Sequence, residues 1–156
     1  MALVALSGCI RVQPSAGEAK GDRMFRVLEQ GNYGRGASEP DGSRQAAIVV
    51  ARSAETFHGL WTARVGSAPP SVDFSRETAI FLLLGQRSTG GYAVGPEAVT
   101  IENATARVRA KLSEPARGGI VTMAFTAPYA VIAVDSREFD RAEWRDDAGN
   151  VVARSD

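Results

Sequence analysis

The run TAIFLLLG, residues 78–85, constrains the fold of this chain more than any other segment. No polar residue interrupts it between Ala79 and Leu84, and turn-forming residues lie on both sides. A strand with one wet face alternates apolar and polar residues, whereas a short continuous apolar run is typical of a strand buried on both faces. The run therefore predicts a central strand with packed structure on each side.

Other segments have the patterns of shorter strands. Residues 105–112, TARVRAKL, alternate between apolar residues and the cations Arg107, Arg109 and Lys111, which predicts a half-buried antiparallel strand. The cationic row is interpreted as a solvated face, with a docking surface for acidic groups or lipid headgroups as the alternative. Further strands are predicted for MFRVLEQG, AAIVVA, IVTMAFT and YAVIAV, and a closing hairpin for EWRDDAGNVVAR around residues 148–150.

One segment has helical character, SAETFHGLWTARV at residues 53–65. Ser53 is suited to cap its N-terminus, and Phe57, Leu60 and Trp61 recur at helical spacing. One helix and about seven or eight short strands predict a single α+β domain over residues 23–156. We expect a mostly antiparallel, sandwich-like sheet packed against one main helix.

Charge and composition exclude several classes of function. The chain carries 18 Lys plus Arg and 18 Asp plus Glu, and this net charge of zero argues against a nucleic-acid partner. The single cysteine, Cys9, excludes an intramolecular disulfide. With His58 as the single histidine, a zinc site built from His and Cys lacks ligands.

The sequence contains no recognisable catalytic or calcium-binding motif. No Gly-x-Ser-x-Gly is present and no carboxylate lies at a motif spacing from His58, which is interpreted as a surface or satisfied histidine. Four carboxylates near the C-terminus lack the alternating spacing of a calcium loop and are interpreted as hairpin and linker charge: Asp140, Glu143, Asp146 and Asp147. We therefore expect a protein that is not an enzyme and has no cofactor.

The N-terminal residues MALVALSGC are apolar or small up to Cys9, and Leu6-Ser7-Gly8-Cys9 resembles a bacterial lipobox, in which the cysteine is lipidated. Residues 10–22 are polar and rich in Gly, Ala and Pro, which is typical of a flexible tether. We expect residues 1–9 to be a lipoprotein-type signal remnant, with Cys9 anchoring the protein to a membrane of the bacterial cell envelope. The alternative is a buried N-terminal strand with an inert cysteine.

Two short segments are candidates for protein-binding loops. Thr89-Gly90-Gly91-Tyr92 follows the long apolar run, and Pro128-Tyr129 precedes the run YAVIAV. Each is explained by a tight turn with its tyrosine packed inside, since glycine adopts positive φ without steric cost. Each also fits an exposed binding loop with tyrosine as the interface anchor.

These landmarks together resemble the PrcB C-terminal domain family. The resemblance covers residues 72–135, from Val72-Asp73-Phe74 through the Thr89–Tyr92 loop to Ala127-Pro128-Tyr129. The family takes its name from a small lipoprotein that stabilises a surface protease complex. The resemblance thus implies a non-enzymatic envelope protein that stabilises or modulates a partner protein, with a protease as one candidate.

A looser resemblance is to the chagasin-type inhibitors of cysteine proteases, which use three loops together as a wedge. Thr89–Tyr92, the glycine-rich Arg117-Gly118-Gly119 and Pro128-Tyr129 occur in the same order. The chain lacks the Asn-Pro that leads into the first inhibitor loop and the Trp that follows the proline of the third. This resemblance implies protease inhibition as the alternative function.

Overall fold

The computed structural model describes residues 25–32 and 43–155. The predicted signal remnant, the tether and Cys9 lie outside these residues. The described elements are eight strands and one helix, β1 Phe25–Asn32, β2 Ala47–Ala51, α1 Ala54–Arg64, β3 Thr78–Leu83, β4 Ala93–Glu102, β5 Thr105–Ser113, β6 Pro128–Val134, β7 Arg141–Arg145 and β8 Val151–Arg154. The predicted α+β, sandwich-like class with one main helix is confirmed.

The strands form two four-stranded sheets. The first sheet has the order β1-β6-β3-β2 and is antiparallel throughout. The second sheet has the order β4-β5-β7-β8, in which β5 and β7 are parallel and the other pairs antiparallel. The segment TARVRAKL is therefore antiparallel to one neighbour and parallel to the other.

The predicted central strand is β3, in which every residue is buried. Its side chains alternate between two hydrophobic cores, because successive residues of a strand point to opposite faces. Ile80 and Leu82 pack in the core between the two sheets, together with Trp144 of β7. Ala79, Phe81 and Leu83 pack in the core between the first sheet and α1. The uninterrupted apolar run thus reflects structure on both of its faces.

The helix α1 covers the outer face of the first sheet. Ser53 caps it as predicted, since its Oγ accepts a hydrogen bond from the Thr56 backbone N–H at 3.2 Å. Phe57 and Trp61 are fully buried, and Leu60 packs at the edge of the same core. The Phe57 ring lies 5.4 Å from the Trp61 ring and 5.9 Å from the Phe81 ring, measured between centroids.

One strand prediction was wrong, and one strand was missed. Residues 120–126, IVTMAFT, form no strand, and a single bridge joins Thr126 to Arg87. Residues 93–102, which carry Gly95 and Pro96, form β4 instead. Proline is tolerated there because β4 is an edge strand and its register shifts between Pro96 and Ala98, which is the geometry of a bulge.

Candidate functional site

Two loops emerge from one end of the first sheet. The TGGY loop, residues 86–92, follows β3, and the long loop, residues 114–127, precedes β6. Because β3 and β6 are antiparallel partners, with Leu83 opposite Tyr129, the end of one strand lies beside the start of the other. The fold therefore places the two loops side by side.

Four hydrogen bonds join the two loops. The backbone N–H of Arg87 donates to the Thr126 carbonyl at 2.7 Å, and the Thr126 N–H donates to the Arg87 carbonyl at 2.9 Å. The Gly90 N–H donates to the Thr122 carbonyl at 3.0 Å. The Thr126 hydroxyl donates to the Thr89 carbonyl at 2.8 Å. The TGGY loop thus fixes the end of the long loop that leads into β6.

The structure requires glycine at one of the two glycine positions of the TGGY loop and not at the other. Gly91 has φ +90°, and a Cβ built there would lie 2.8 Å from Cβ of Pro115 in the long loop. Both the backbone conformation and the close approach therefore require glycine at this position. A Cβ at Gly90 would make an ordinary contact with Thr122 at 3.6 Å. The turn interpretation accounts fully for Gly91.

The side chain of Tyr92 is partly buried. Its ring packs at the edge of the core between the sheets. The guanidinium of Arg87 lies over the same ring, 5.9 Å from its centroid. Tyr92 thus packs one side of its ring against the core and exposes the other part to solvent. This combines features of the buried-turn and the binding-loop interpretations.

Pro128 and Tyr129 do not form a loop. They are the first residues of β6, and Tyr129 is 6 % exposed, in the core beneath α1. Burial raises the pKa of the Tyr129 hydroxyl above its usual 10.0, with a further contribution from the Glu29 carboxylate. The interpretation of this pair as an exposed protein-binding loop is wrong, because strand pairing with β1 and β3 encloses it. The three-loop wedge of the inhibitor resemblance therefore lacks its third member.

The long loop displays three large apolar side chains, which we call the apolar trio: Ile120, Met123 and Phe125. Ile120 is fully exposed, Met123 is 85 % exposed and Phe125 is 67 % exposed. The next most exposed large apolar side chain among the described residues is Val27, at 45 %. Large apolar side chains exposed close together in sequence on one loop are candidates for a binding site.

The glycines at the start of the long loop make a local turn. The Gly119 N–H donates to the Ala116 carbonyl at 2.9 Å, and Gly118 has φ +76°. Arg117, Gly118 and Gly119 are all exposed beside Ile120. This turn directs the chain into the segment that carries the apolar trio.

Sequence reasoning missed the trio because it assigned residues 120–126 to a strand. The sequence held one weak indication of a loop. Gly118-Gly119 and Ala127-Pro128 flank the segment, and glycine and proline are typical of turns and loops.

The remaining candidates have structural explanations. His58 is exposed on α1. Asp146 accepts hydrogen bonds from the Asn150 side chain and N–H, which hold the pKa of that carboxyl below its usual range and close the β7–β8 hairpin. Among residues 25–32 and 43–155, no cluster of three His, Cys, Asp or Glu side chains has the arrangement of a metal site. In the same residues, no helix has the length and apolar character needed to span a bilayer.

Residues 78–135 match the family model described as PrcB C-terminal. No curated protein and no solved structure matches the chain. The matched segment runs from β3 through both loops to the residue after β6, so it contains the TGGY loop and the apolar trio. Val72-Asp73-Phe74 lies just outside it. The resemblance noted in the sequence is confirmed for this segment, which is similar to the PrcB C-terminal family.

Proposed function

We propose that this protein is a non-enzymatic binding module of the bacterial cell envelope that stabilises or modulates a partner protein. The family match points to a protease complex as the class of partner. The observation that carries the proposal is the apolar trio, three large side chains exposed together on one loop of the matched segment.

A partner that covers the trio gains from the burial of apolar surface. Each square ångström removed from water contributes about 25 cal/mol. Phe125 has the large, stiff side chain of an interface anchor, whereas Met123 is flexible and adapts to an irregular surface. The hydrogen bonds from the TGGY loop to Thr122 and Thr126 hold the backbone on either side of these residues, which lowers the entropy lost when a partner binds.

The carboxyl groups with lowered pKa values among the described residues are held by structural hydrogen bonds. Four carboxyl groups have lowered pKa values, and each has a structural cause: Asp73, Glu77, Glu143 and Asp146. Glu77, for example, accepts two hydrogen bonds from Arg26 at 3.1 Å, which lower the pKa of its carboxyl. A general acid needs its carboxyl pKa raised toward neutrality, and these shifts run in the opposite direction.

The envelope location rests on the lipobox-like residues Leu6 to Cys9. We propose that Cys9 carries the lipid and that residues 10–22 tether the domain to the membrane. In bacteria that express the full chain, the protein should partition into the detergent phase, and Cys9→Ser should move it to the aqueous phase. Equal partitioning of both forms would contradict the lipid anchor.

Loss of partner binding through the trio tests the binding function. The full chain carrying Ile120→Ser, Met123→Ser and Phe125→Ser should no longer retain the partner protein that the unmodified chain recovers from envelope extract. Val27→Ser, at an exposed apolar residue of β1, is the matched control and should retain it. Equal recovery by the triple variant would contradict the proposal.

One observation keeps inhibition of a protease as a second candidate function. Two of the three wedge-like segments, the TGGY loop and the glycine turn before Ile120, belong to the same pair of joined loops. If the pair enters a protease active site, the purified chain should inhibit at least one member of a panel of cysteine, serine and metalloproteases. A panel that keeps full activity would eliminate this candidate.

A further inference from the structure

The outer faces of the two sheets differ. The helix covers the first sheet, whereas no described element covers the second. Residues with inward side chains, such as Val108 and Trp144, alternate there with charged residues that point outward.

This outer face is rich in charged side chains. Its six cations are Arg107, Arg109, Lys111, Arg141, Arg145 and Arg154. The carboxylates on the face or its rim include Glu97, Glu102, Glu143 and Asp146. The strands of this sheet therefore carry more cations than carboxylates, in a chain whose net charge is zero.

A cavity of about 450 Å³ lies in this face. Arg107, Arg109 and Arg145 line it, and we call it the arginine groove. Asp146 also lines it, with a carboxylate that accepts two hydrogen bonds from Asn150. Ala98 and Thr100 of β4 also line the groove. Its volume falls within the range of about 300–1,000 Å³ that is typical of small-molecule sites.

Carboxylates hold two of these guanidinium groups through their Nε atoms. Nε of Arg145 lies 2.6 Å from Oε1 of Glu143, and Nε of Arg109 lies 3.3 Å from Oε2 of Glu97. An ion pair made through Nε fixes the plane of the guanidinium and leaves terminal N–H groups to donate elsewhere. Arg145 also donates from Nη1 to the Gly149 carbonyl at 3.1 Å, and its Nη2 makes no hydrogen bond within the described residues.

Glu143 organises this part of the face from beneath. It is 8 % exposed, and its second oxygen pairs with Nε of Arg154 at 2.8 Å. Arg107 differs, because its ion pair with Glu102 uses the terminal Nη1 rather than Nε. These ion pairs restrict the half-buried side chains of Arg107 and Arg145 before any ligand arrives, which reduces the entropy cost of binding.

We propose that the arginine groove binds the phosphate group of a small phosphorylated ligand. Guanidinium groups match the spacing of phosphate oxygens and donate to them from their free N–H groups. Within the described residues, Arg107 and Arg145 each keep Nη2 for this purpose, and Arg109 keeps both terminal nitrogens. Three such groups around one cavity suit an anion that presents several equivalent oxygens. The cavity is larger than one phosphate ion, so part of the attached molecule also enters it. This site is separate from the apolar trio and goes beyond the proposed function.

Titration calorimetry of the full chain with sn-glycerol 3-phosphate tests the site. We expect one bound ligand per chain and binding that weakens as salt is added. Arg109→Gln should weaken it about tenfold, the effect of losing one charge-assisted hydrogen-bonded pair. Arg109→Lys should bind with intermediate affinity, because the charge remains while the planar fork is lost. Arg117→Gln, on the exposed turn of the long loop, is the matched control and should leave the affinity unchanged.

The phosphate group has two sources, a soluble phosphate ester and a phospholipid headgroup. Flotation of the Cys9→Ser chain with phosphatidylcholine vesicles, with and without phosphatidylglycerol, distinguishes them, because this chain cannot carry the proposed lipid. Binding of glycerol phosphate alone supports a soluble ligand, and Arg109-dependent binding to the anionic vesicles alone supports a headgroup. The proposal is overturned if neither probe binds, or if Arg109→Gln and Arg117→Gln affect binding equally. Thermal melts of each variant show that it is folded, which is expected because Arg109 and Arg117 are exposed.

Discussion

The runs IVTMAFT and YAVIAV are separated by two residues, and their environments are opposite. Residues 129–134 are buried at every position in β6, while the three largest side chains of residues 120–126 are exposed. Composition does not distinguish them, since both are rich in β-branched, aromatic and small apolar residues. The difference is in partners: β6 pairs with β1 on one side and β3 on the other, whereas the long loop has one bridge, at Thr126. Burial of an apolar run thus depends on whether the fold supplies neighbouring strands.

The largest expected effect compares the two aromatic residues Tyr129 and Phe125. Tyr129→Ala removes a ring from the core beneath α1 and should lower the free energy of unfolding by about 3–5 kcal/mol. That loss corresponds to a melting temperature lower by roughly 10 °C for a domain of this size. Phe125→Ala should change it by less than about 0.5 kcal/mol, because the ring is exposed. Thermal melts measure both variants. Equal decreases in melting temperature would contradict the assignment of Tyr129 to the core and of Phe125 to the surface.

The next largest effect is expected at the joint between the TGGY loop and the long loop, by which we mean the close contact of Gly91 with Pro115. Gly91→Ala places a Cβ 2.8 Å from Pro115 at φ +90°, so it should cost about 1–3 kcal/mol in a urea titration. Gly90→Ala is the matched control, since its Cβ makes an ordinary contact at 3.6 Å from Thr122. A smaller loss for Gly91→Ala than for Gly90→Ala would mean that the close approach to Pro115 does not fix the joint.

Glu143 is an intermediate case, a carboxylate enclosed on an outer face by arginine side chains. Hydrogen bonds from Arg154 and Arg145 hold the pKa of Glu143 below its usual 4.5. Because the folded pKa is the lower one, this stabilisation is complete above pH 4.5 and is lost as the pH falls through the folded value.

Glu143→Gln should therefore flatten the fall in unfolding free energy below pH 4.5, measured by urea titrations at several pH values. Glu114→Gln, at an exposed residue of the long loop, is the control. Equal flattening in both variants would show that the arginine pairs do not cause the effect.

The smallest expected effect concerns a turn in the second sheet. Asn103 and Ala104 join β4 to β5 with φ values of 49° and 57°. Glycine avoids the steric cost of this conformation, so Ala104→Gly should raise the free energy of unfolding by about 0.5 kcal/mol. Ala63→Gly, in the exposed part of α1, should lower it by about 1 kcal/mol. Chemical denaturation that gives the same sign for both would contradict the turn assignment.

The elements that sequence predicted well are those whose pattern is local. The cap at Ser53, the alternation around Val108 and the continuous run at Ile80 each reflect spacing within one element. The elements that it missed depend on distant partners. β4 was hidden by Pro96 and its bulge, which an edge strand tolerates, and residues 120–126 have strand-forming residues without neighbouring strands.

The candidate site follows the same division. Glycine at position 91 was expected to serve a turn, which the positive φ there bears out. The hydrogen bond from the Thr126 hydroxyl to the Thr89 carbonyl joins residues 37 positions apart, and no local sequence pattern predicts it. Met123 and Phe125 lie in the segment that this bond ends, and sequence alone placed them in a strand.

The central claim, that the apolar trio contacts the partner protein, is tested most directly by photocrosslinking. A photoreactive phenylalanine analogue would replace Met123 in one full chain and Val27 in another, and both would be irradiated in intact cells. The account predicts a protein adduct from position 123 and none from position 27. Adducts from position 27 alone, or of equal yield from both positions, would contradict it.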